Sequence, residues 1–420
     1  MSSRRESYKK GGVADASAAA ARRRDEGTAL MRVQRLRRLL SLGYEGPYTE
    51  ALMSGAVPLL IQALQLPRTD LTVVAEIVLE AAWSLTNLAA GDHAVVEAVA
   101  PAAPIMIAHL GAGAGLGVAE QCAWALGNIA GESAELRAKL AANGAVRPLT
   151  GLVLAARGSL APRPVIAASR TAAWALSNLI KGAGHEVGEV LSVDNCPAGL
   201  VQLLSKADEP ELVTEVCWVL TYITAGAEAH LNRMVNAGVV PVLVQRLNEA
   251  AAQLQQHADA SRARLTPKEA AWTLSNMAGV PGRAGVEVLV AAGALPVLLQ
   301  VLAQAAFDLR KEVAFAIANI CAGGGDGTGD SAALAHVLGS HSQVLPAFLG
   351  LMRSPDMEAA QLGLQFTEMV LRVLPEGPQA VEAADGIDAI EELQFKGPPH
   401  LQRLAAQLVD KYFGEDYGLE

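Results

Sequence analysis

Apolar residues recur along this chain in two alternating phrases. The first is built on tryptophan: AAWSLTNLAAG around Trp83, CAWALGNIAGE around Trp124, AAWALSNLIKG around Trp174, VCWVLTYITAG around Trp218 and AAWTLSNMAGV around Trp272. A sixth copy, VAFAIANICAGGG, carries Phe315 in the Trp place. Successive rings stand 41, 50, 44, 54 and 43 residues apart. The second phrase lies between them: GAVPLLIQAL (55–64), GAVRPLTGLV (144–153), GVVPVLVQRL (238–247) and GALPVLLQVL (293–302). A Gly, then a Pro near the first turn, then an apolar run predicts a helix start. Each Trp copy runs to a Gly, which predicts a helix end. Every unit therefore has at least two helices whose apolar faces need neighbouring units to cover them, and the chain reads as an all-α, right-handed α-solenoid.

The period fits armadillo or HEAT units of ~40–47 residues with two insertions. One insertion falls around Gly158 and Pro162–Pro164, the other in the polar segment around Gln253–Arg264. At 100° per residue, positions −1, +2, +5 and +6 from Trp form a stripe centred near 210° from it. In the first copy these are Ala82, Leu85, Leu88 and Ala89. Asn at +4 and an acid at −3 fall within ~60° of the ring, on the face away from that stripe. One isolated Trp-x-x-x-Asn would read as structural, with the ring in the core and the amide on a neighbour's backbone. Repetition on the non-core face turns it into an exposed ladder that solubility alone does not favour. Acids recur with it: Glu80, Glu215, Glu269 and Glu312 at −3, Glu120 at −4, and Glu132 after Asn128.

Such a ladder suits an extended basic peptide. Side chains of a strand alternate, so every second one meets the surface. Asn offers a donor and an acceptor to the peptide backbone. The slot between two indoles takes an aliphatic stem, and a cation on that stem gains about 0.5–2 kcal/mol from the ring face.

Composition narrows the function. Hydrophobic residues are 51%, charged residues 18% and aromatics only 4%, so neither a disordered chain nor a β-sandwich fits. The net charge of −10 divides unevenly: residues 1–40 carry +7 and the rest −17. An acidic body argues against direct nucleic-acid binding. No apolar run is long enough for a membrane span, and the charged N-terminus lacks a signal-peptide core. Cys122, Cys196, Cys217 and Cys321 are far apart, so neither zinc nor a disulfide framework is expected; the first, third and fourth sit in apolar runs as buried thiols. The eight His residues form no metal motif, no nucleophile elbow is present, and GGGDGTGD (323–330) lacks the Lys-Ser/Thr of a phosphate loop. No enzyme activity, cofactor or metal is expected.

The phrases WSLTNLAAG, WALGNIAGE, WALSNLIKG and WVLTYITAG, in this order, closely resemble the armadillo repeats of importin alpha, and GIDAIEELQFKGPPHLQRLAAQLVDKYFGED (386–416) resembles that family's last repeat and acidic tail. The resemblance covers roughly residues 30–416. It implies a nuclear import adaptor that shuttles between cytoplasm and nucleus and binds the Lys/Arg-rich nuclear localisation signals of cargo proteins. It implies a major groove of Trp83, Asn87, Glu120, Trp124, Asn128, Glu132, Trp174, Asn178, Glu215 and Trp218, flanked by Lys181. A minor groove would hold Tyr222, Glu269, Trp272, Asn276, Glu312, Phe315 and Asn319. The resemblance further implies importin beta as a partner of the N-terminal tail and an exportin at the C-terminal repeats.

Two departures stand against the family pattern. A repeat between the Tyr222 phrase and the Trp272 phrase is missing, which shortens the minor groove. The basic tail is short, residues 1–26, ahead of a solenoid over 27–416 and a C-terminal tail at 417–420. Its bases Arg4, Arg5, Lys9, Lys10, Arg22, Arg23 and Arg24 fit three readings: a remnant transport segment, a plug for the acidic groove, or a solvated tail. The competing class for the whole chain is a diverged armadillo scaffold with one dedicated partner.

Overall fold

The structure is a computed structural model. It describes residues 25–414 apart from 43–46, 68–71, 112, 114, 159, 183, 207, 257–264, 280–283 and 324–328. The basic tail from Arg4 to Arg24 and the C-terminal residues 417–420 therefore lie outside the described residues, as do parts of the polar insertion and of the Gly-rich segment. The described residues form helices and turns, with no strand among them. The chain divides into two compact units, residues 1–196 and 197–420.

The first unit opens with α1 (residues 25–40). Triples of two short helices and one long helix follow. They are α2 (Tyr48–Met53), α3 (Ala56–Leu64) and α4 (Thr72–Leu88); then α5 (His93–Val99), α6 (Ala103–Ala108) and α7 (Leu116–Glu132); then α8 (Ala134–Ala142), α9 (Val146–Leu154) and α10 (Arg163–Ile180); α11 (Gly184–Ser192) closes the unit. The second unit runs α12 (Cys196–Leu204), α13 (Pro210–Thr224), α14 (Glu228–Asn236), α15 (Val239–Gln256), α16 (Leu265–Gly279), α17 (Ala284–Ala291), α18 (Ala294–Gln304) and α19 (Phe307–Cys321). It ends with α20 (Ser331–Ser340), α21 (Val344–Met352), α22 (Met357–Val373), α23 (Gly377–Ala383), α24 (Gly386–Lys396) and α25 (Pro399–Phe413). This is the all-α armadillo solenoid expected from the period, with a third, short helix per repeat that the apolar phrases did not reveal.

The turn before each middle helix explains the recurrent Gly. Gly55, Gly144, Gly238 and Gly293 have φ of 74°, 79°, 84° and 72°, a left-handed backbone that a side chain makes costly. Where the phrase lacks Gly, Asn195 and Asp385 take that role with φ of 55° and 57°, as the residue types most tolerant of it. The short first helices α5 and α8 start on side-chain caps: Asp92 accepts from the Val95 N–H at 3.1 Å and Ser133 from the Leu136 N–H at 3.2 Å. Gly131 is not a helix end, because α7 continues through it to Glu132.

The core follows the predicted stripe. Ala82, Leu85, Leu88 and Ala89 are all buried, and so are their counterparts Ala123, Leu126, Ile129 and Ala130. Alanine at the −1 position lets long helices pack closely, and within the first unit α7 lies between α4 and α10. In the second unit α13 packs on α16, α16 on α19 and α19 on α22. The direct contact of α13 with α16 shows that the 54-residue interval between their tryptophans is a single repeat, lengthened by the 18 residues of α15 and the segment after it. All four cysteines are buried, and none of them forms a disulfide. Burial pushes the thiols of Cys122 and Cys321 up to about 12 and that of Cys217 up as well, so these three are not thiolate nucleophiles at neutral pH.

Candidate functional site

In the first unit the long helices α4, α7 and α10 carry the ladder on the face away from the core. Trp83 is 39% exposed and Trp124 46% exposed, while the residues flanking each of them in sequence are buried. Trp174 is half-buried instead. The cause is Gly127, three residues beyond Trp124: a Cβ there would overlap Cζ3 of Trp174 and lie 2.8 Å from its Cε3. The indole of Trp174 thus rests on the backbone of α7.

The Asn side chains tie each long helix to the one before it. Asn128 Nδ2 donates to the carbonyl of Thr86 at 3.3 Å, and Asn178 Nδ2 to that of Gly127 at 3.3 Å. Both acceptors sit three residues beyond the preceding Trp. Asn87, with no earlier Trp helix, donates to Ser41 Oγ at 3.1 Å. Each bond uses one amide hydrogen, leaving Oδ1 and the second hydrogen for an outside group. The sequence reading offered the Asn pair of donor and acceptor wholly to a peptide; the structure divides it between neighbour and solvent.

The acids of this ladder are held in different ways. Glu120 is half-buried and accepts from Thr171 Oγ1 at 3.5 Å. Glu132 Oε1 lies 2.9 Å from His93 Nδ1. Glu80 Oε2 accepts from Arg37 Nε at 2.8 Å, and the guanidinium of Arg37 lies 4.4 Å from the centroid of the Trp83 ring. Arg37 belongs to α1, the helix that precedes the first Trp phrase. Lys181 is exposed just past α10.

Glu215 and Trp218, assigned to the major groove by sequence, lie in the second unit. There Trp218 meets Trp272 edge-on, with centroids 5.2 Å apart and planes at 70°, and stacks with Tyr222 at 6.2 Å. Two rings 5.2 Å apart leave no space for an aliphatic stem, so the expected open slot is a closed aromatic cluster at this step. Asn276 donates to the Thr221 carbonyl at 3.1 Å and Asn319 to that of Ser275 at 3.0 Å, repeating the link seen in the first unit. Phe315 is half-buried on α19.

The acids also depart from an exposed series. Glu269 is only 4% exposed and its Oε2 has no hydrogen-bond partner among the described residues. Burial, with Glu215 and Glu312 nearby, pushes its carboxyl up to about 7 against the weaker pull of a backbone hydrogen bond and of Lys268. Glu312 is raised too, chiefly by burial, and pairs with Lys268 at 3.9 Å. One step on, Lys311 bonds Asp356 at 3.1 Å and Glu358 at 3.0 Å. Among the described residues no group of His, Cys, Asp and Glu could hold a metal ion.

Comparison with known proteins places this architecture. No protein-family model matches the chain. It is 37% identical to importin subunit alpha-9 of Arabidopsis thaliana over 433 aligned residues, covering 92% of this chain and 80% of that one. It is 38% identical to importin subunit alpha-2 of Oryza sativa subsp. japonica over 431, covering 92% and 78%. A crystal structure of an engineered protein superposes with a TM-score of 0.74 at 24% identity, over 91% of this chain and 84% of that one. A designed armadillo repeat protein, solved in complex with the peptide (KR)4, matches 63% of this chain and 99% of its own with a TM-score of 0.50 and 26% identity. With its Trp and Asn ladder on triples of helices, and with that identity over nine-tenths of its length, the chain belongs to the importin alpha family.

Proposed function

We propose that the protein is a nuclear import adaptor whose ladder in the first unit binds an extended Lys/Arg-rich segment of its cargo. The observation that carries this reading is the exposure of Trp83 and Trp124 beside Asn side chains with unused polar atoms. A large indole left nearly half in water costs burial that a ligand restores. The chain supports the recognition chemistry with its own residue, since Arg37 already stacks on Trp83 and pairs with Glu80. The solved neighbour that holds (KR)4 supports the same ligand class. In this reading a peptide lies across α4, α7 and α10, Asn128 and Asn178 hold its backbone, and Glu120 and Glu132 select for positive charge. The basic tail (Arg4 to Arg24) engages importin beta, the C-terminal repeats take an exportin, and the protein moves between cytoplasm and nucleus.

A fluorescence titration of the full chain with a short Lys/Arg-rich peptide tests this. Binding at micromolar or tighter concentration is expected, weakening as salt rises. Trp124→Ala with Asn128→Ala should abolish binding and leave helicity unchanged. Undiminished affinity in the double variant would remove the ladder from the mechanism.

The second unit favours a different use. Its Trp218–Trp272 slot is closed and Glu312 is paired with Lys268, so it presents less free acid and less open indole. That supports a scaffold role for α13–α19, with a dedicated partner in place of a second basic segment.

A further inference from the structure

Three hydroxyl residues of the chain stand three places after an arginine: Ser7, Ser41 and Thr150. An arginine at that distance is a charge pattern by which a basophilic protein kinase selects its substrate, through carboxylates of its own. Ser7 belongs to the basic tail, outside the described residues. Thr150 is 0% exposed inside α9, with its hydroxyl on the Val146 carbonyl. Ser41 is exposed, in the turn just past α1, and so is Arg38 three residues before it. A kinase reads its substrate as extended chain, so the end of α1 has to open. Leu40 is the one buried residue of α1, and a helix with so little burial opens locally at small cost.

We propose that Ser41 is a phosphorylation site for a basophilic serine/threonine kinase, and that its phosphate strengthens the first rung of the ladder. Oγ of Ser41 attacks the γ-phosphorus of ATP; the new O–P bond replaces the one to ADP, and the hydroxyl proton leaves through the base of the kinase. The regulatory half of the proposal rests on the basic-peptide reading above. Asn87 Nδ2 donates to Ser41 Oγ at 3.1 Å, and Trp83 lies one turn before Asn87 on α4. The phosphate therefore arrives beside the first Trp and Asn with a charge of about −1.5 to −2. Glu80, the acid of this rung, is paired with Arg37 at 2.8 Å, so the phosphate supplies negative charge where the carboxylate is already taken. Its place also opposes the dipole at the C-terminal end of α1, which loosens that helix and the hold of Arg37 on Trp83. Both effects favour a cation brought by a ligand.

The test uses the full chain carrying Ser7→Ala, so that the tail motif cannot contribute. It is incubated with ATP and a kinase selective for Arg-x-x-Ser, beside a free peptide of residues 32–45 as control substrate. Mass spectrometry should place one phosphate on Ser41 of the chain, absent in Ser41→Ala and incorporated about ten-fold more slowly in Arg38→Ala. The phosphorylated and untreated chains are then titrated by calorimetry with a peptide of alternating Lys and Arg, long enough to reach Trp83. Phosphorylation should tighten binding about three- to ten-fold, and the gain should fade as salt rises. A phosphorylated peptide beside an untouched chain would overturn the site, and so would a peptide that the kinase ignores. Equal or weaker binding by the phosphorylated chain would overturn the regulation while leaving the ladder standing. No binding by either form would remove the ladder reading and the regulation together.

Discussion

The guanidinium of Arg37 lies 4.4 Å over the ring of Trp83 while its Nε donates to Glu80 at 2.8 Å. A cation, an indole face and a carboxylate thus meet at the end of the ladder without any ligand. Arg37 is well covered, with its side chain 19% exposed, so the contact is partly desolvated. It occupies one face of Trp83, and a basic peptide must either stop short of that face or displace it.

Removing this internal cation should therefore help the ligand. Arg37→Ala is expected to tighten binding of a long basic peptide by about three- to ten-fold and to lower stability by about 0.5–1.5 kcal/mol. Calorimetric titration and a thermal melt read the two effects separately. Weaker peptide binding in the variant would mean that Arg37 builds the site and does not compete for it.

Gly127 sets how Trp174 lies. Ser177 and Ser275 hold the matching place in other copies, so Gly127→Ser is a small change by the chain's own vocabulary. Its Cβ would collide with the Trp174 ring and stand 2.9 Å from Ala175 Cβ. The expected result is a loss of about 1–3 kcal/mol, the scale of an overpacked site. Peptide affinity should also fall about ten-fold because the indole is re-aimed. Unaltered Trp174 packing in a crystal structure of the variant would contradict this.

Glu269 gives a pH dependence of known sign. Its carboxyl stands at about 7 in the fold against an ordinary 4.5, because burial, helped by the neighbouring Glu215 and Glu312, opposes ionisation more than a backbone hydrogen bond and Lys268 favour it. Below pH ~4.5 the group is protonated folded and unfolded alike, and no penalty arises. Between there and pH ~7 the unfolded chain ionises first, so stability falls as pH rises. Glu269→Gln should match the parent protein near pH 4.5 and exceed it by about 1–3 kcal/mol at pH 8. A melting-temperature difference that does not change with pH would remove this account.

The fold was legible because two phrases recur, and repetition converts a weak helical signal into an architecture. The core stripe of Ala82, Leu85, Leu88 and Ala89 and the exposure of Trp83 and Trp124 follow from the 100° step alone. The short first helices were missed because they are too brief to show a period; Asp92 and Ser133 were their signals, read as caps only once the helix is seen. What one helical wheel omits is the adjoining helix. Nothing within α10 says that Trp174 rests on Gly127, and nothing within α16 says that Glu269 is buried. Nothing in the local sequence of α1 pairs Arg37 with Trp83, and only the fold brings the two together.

The aromatic cluster of the second unit divides four of the five tryptophans into two kinds of optical reporter. Trp83 and Trp124 face solvent, and their emission should shift with whatever settles on them. Trp218 and Trp272 are locked edge to ring, so their emission answers to whether α13 and α16 remain together. A single unlabelled sample can therefore report occupancy and integrity at once, the first as a spectral shift at constant helicity and the second as a change that appears only on melting.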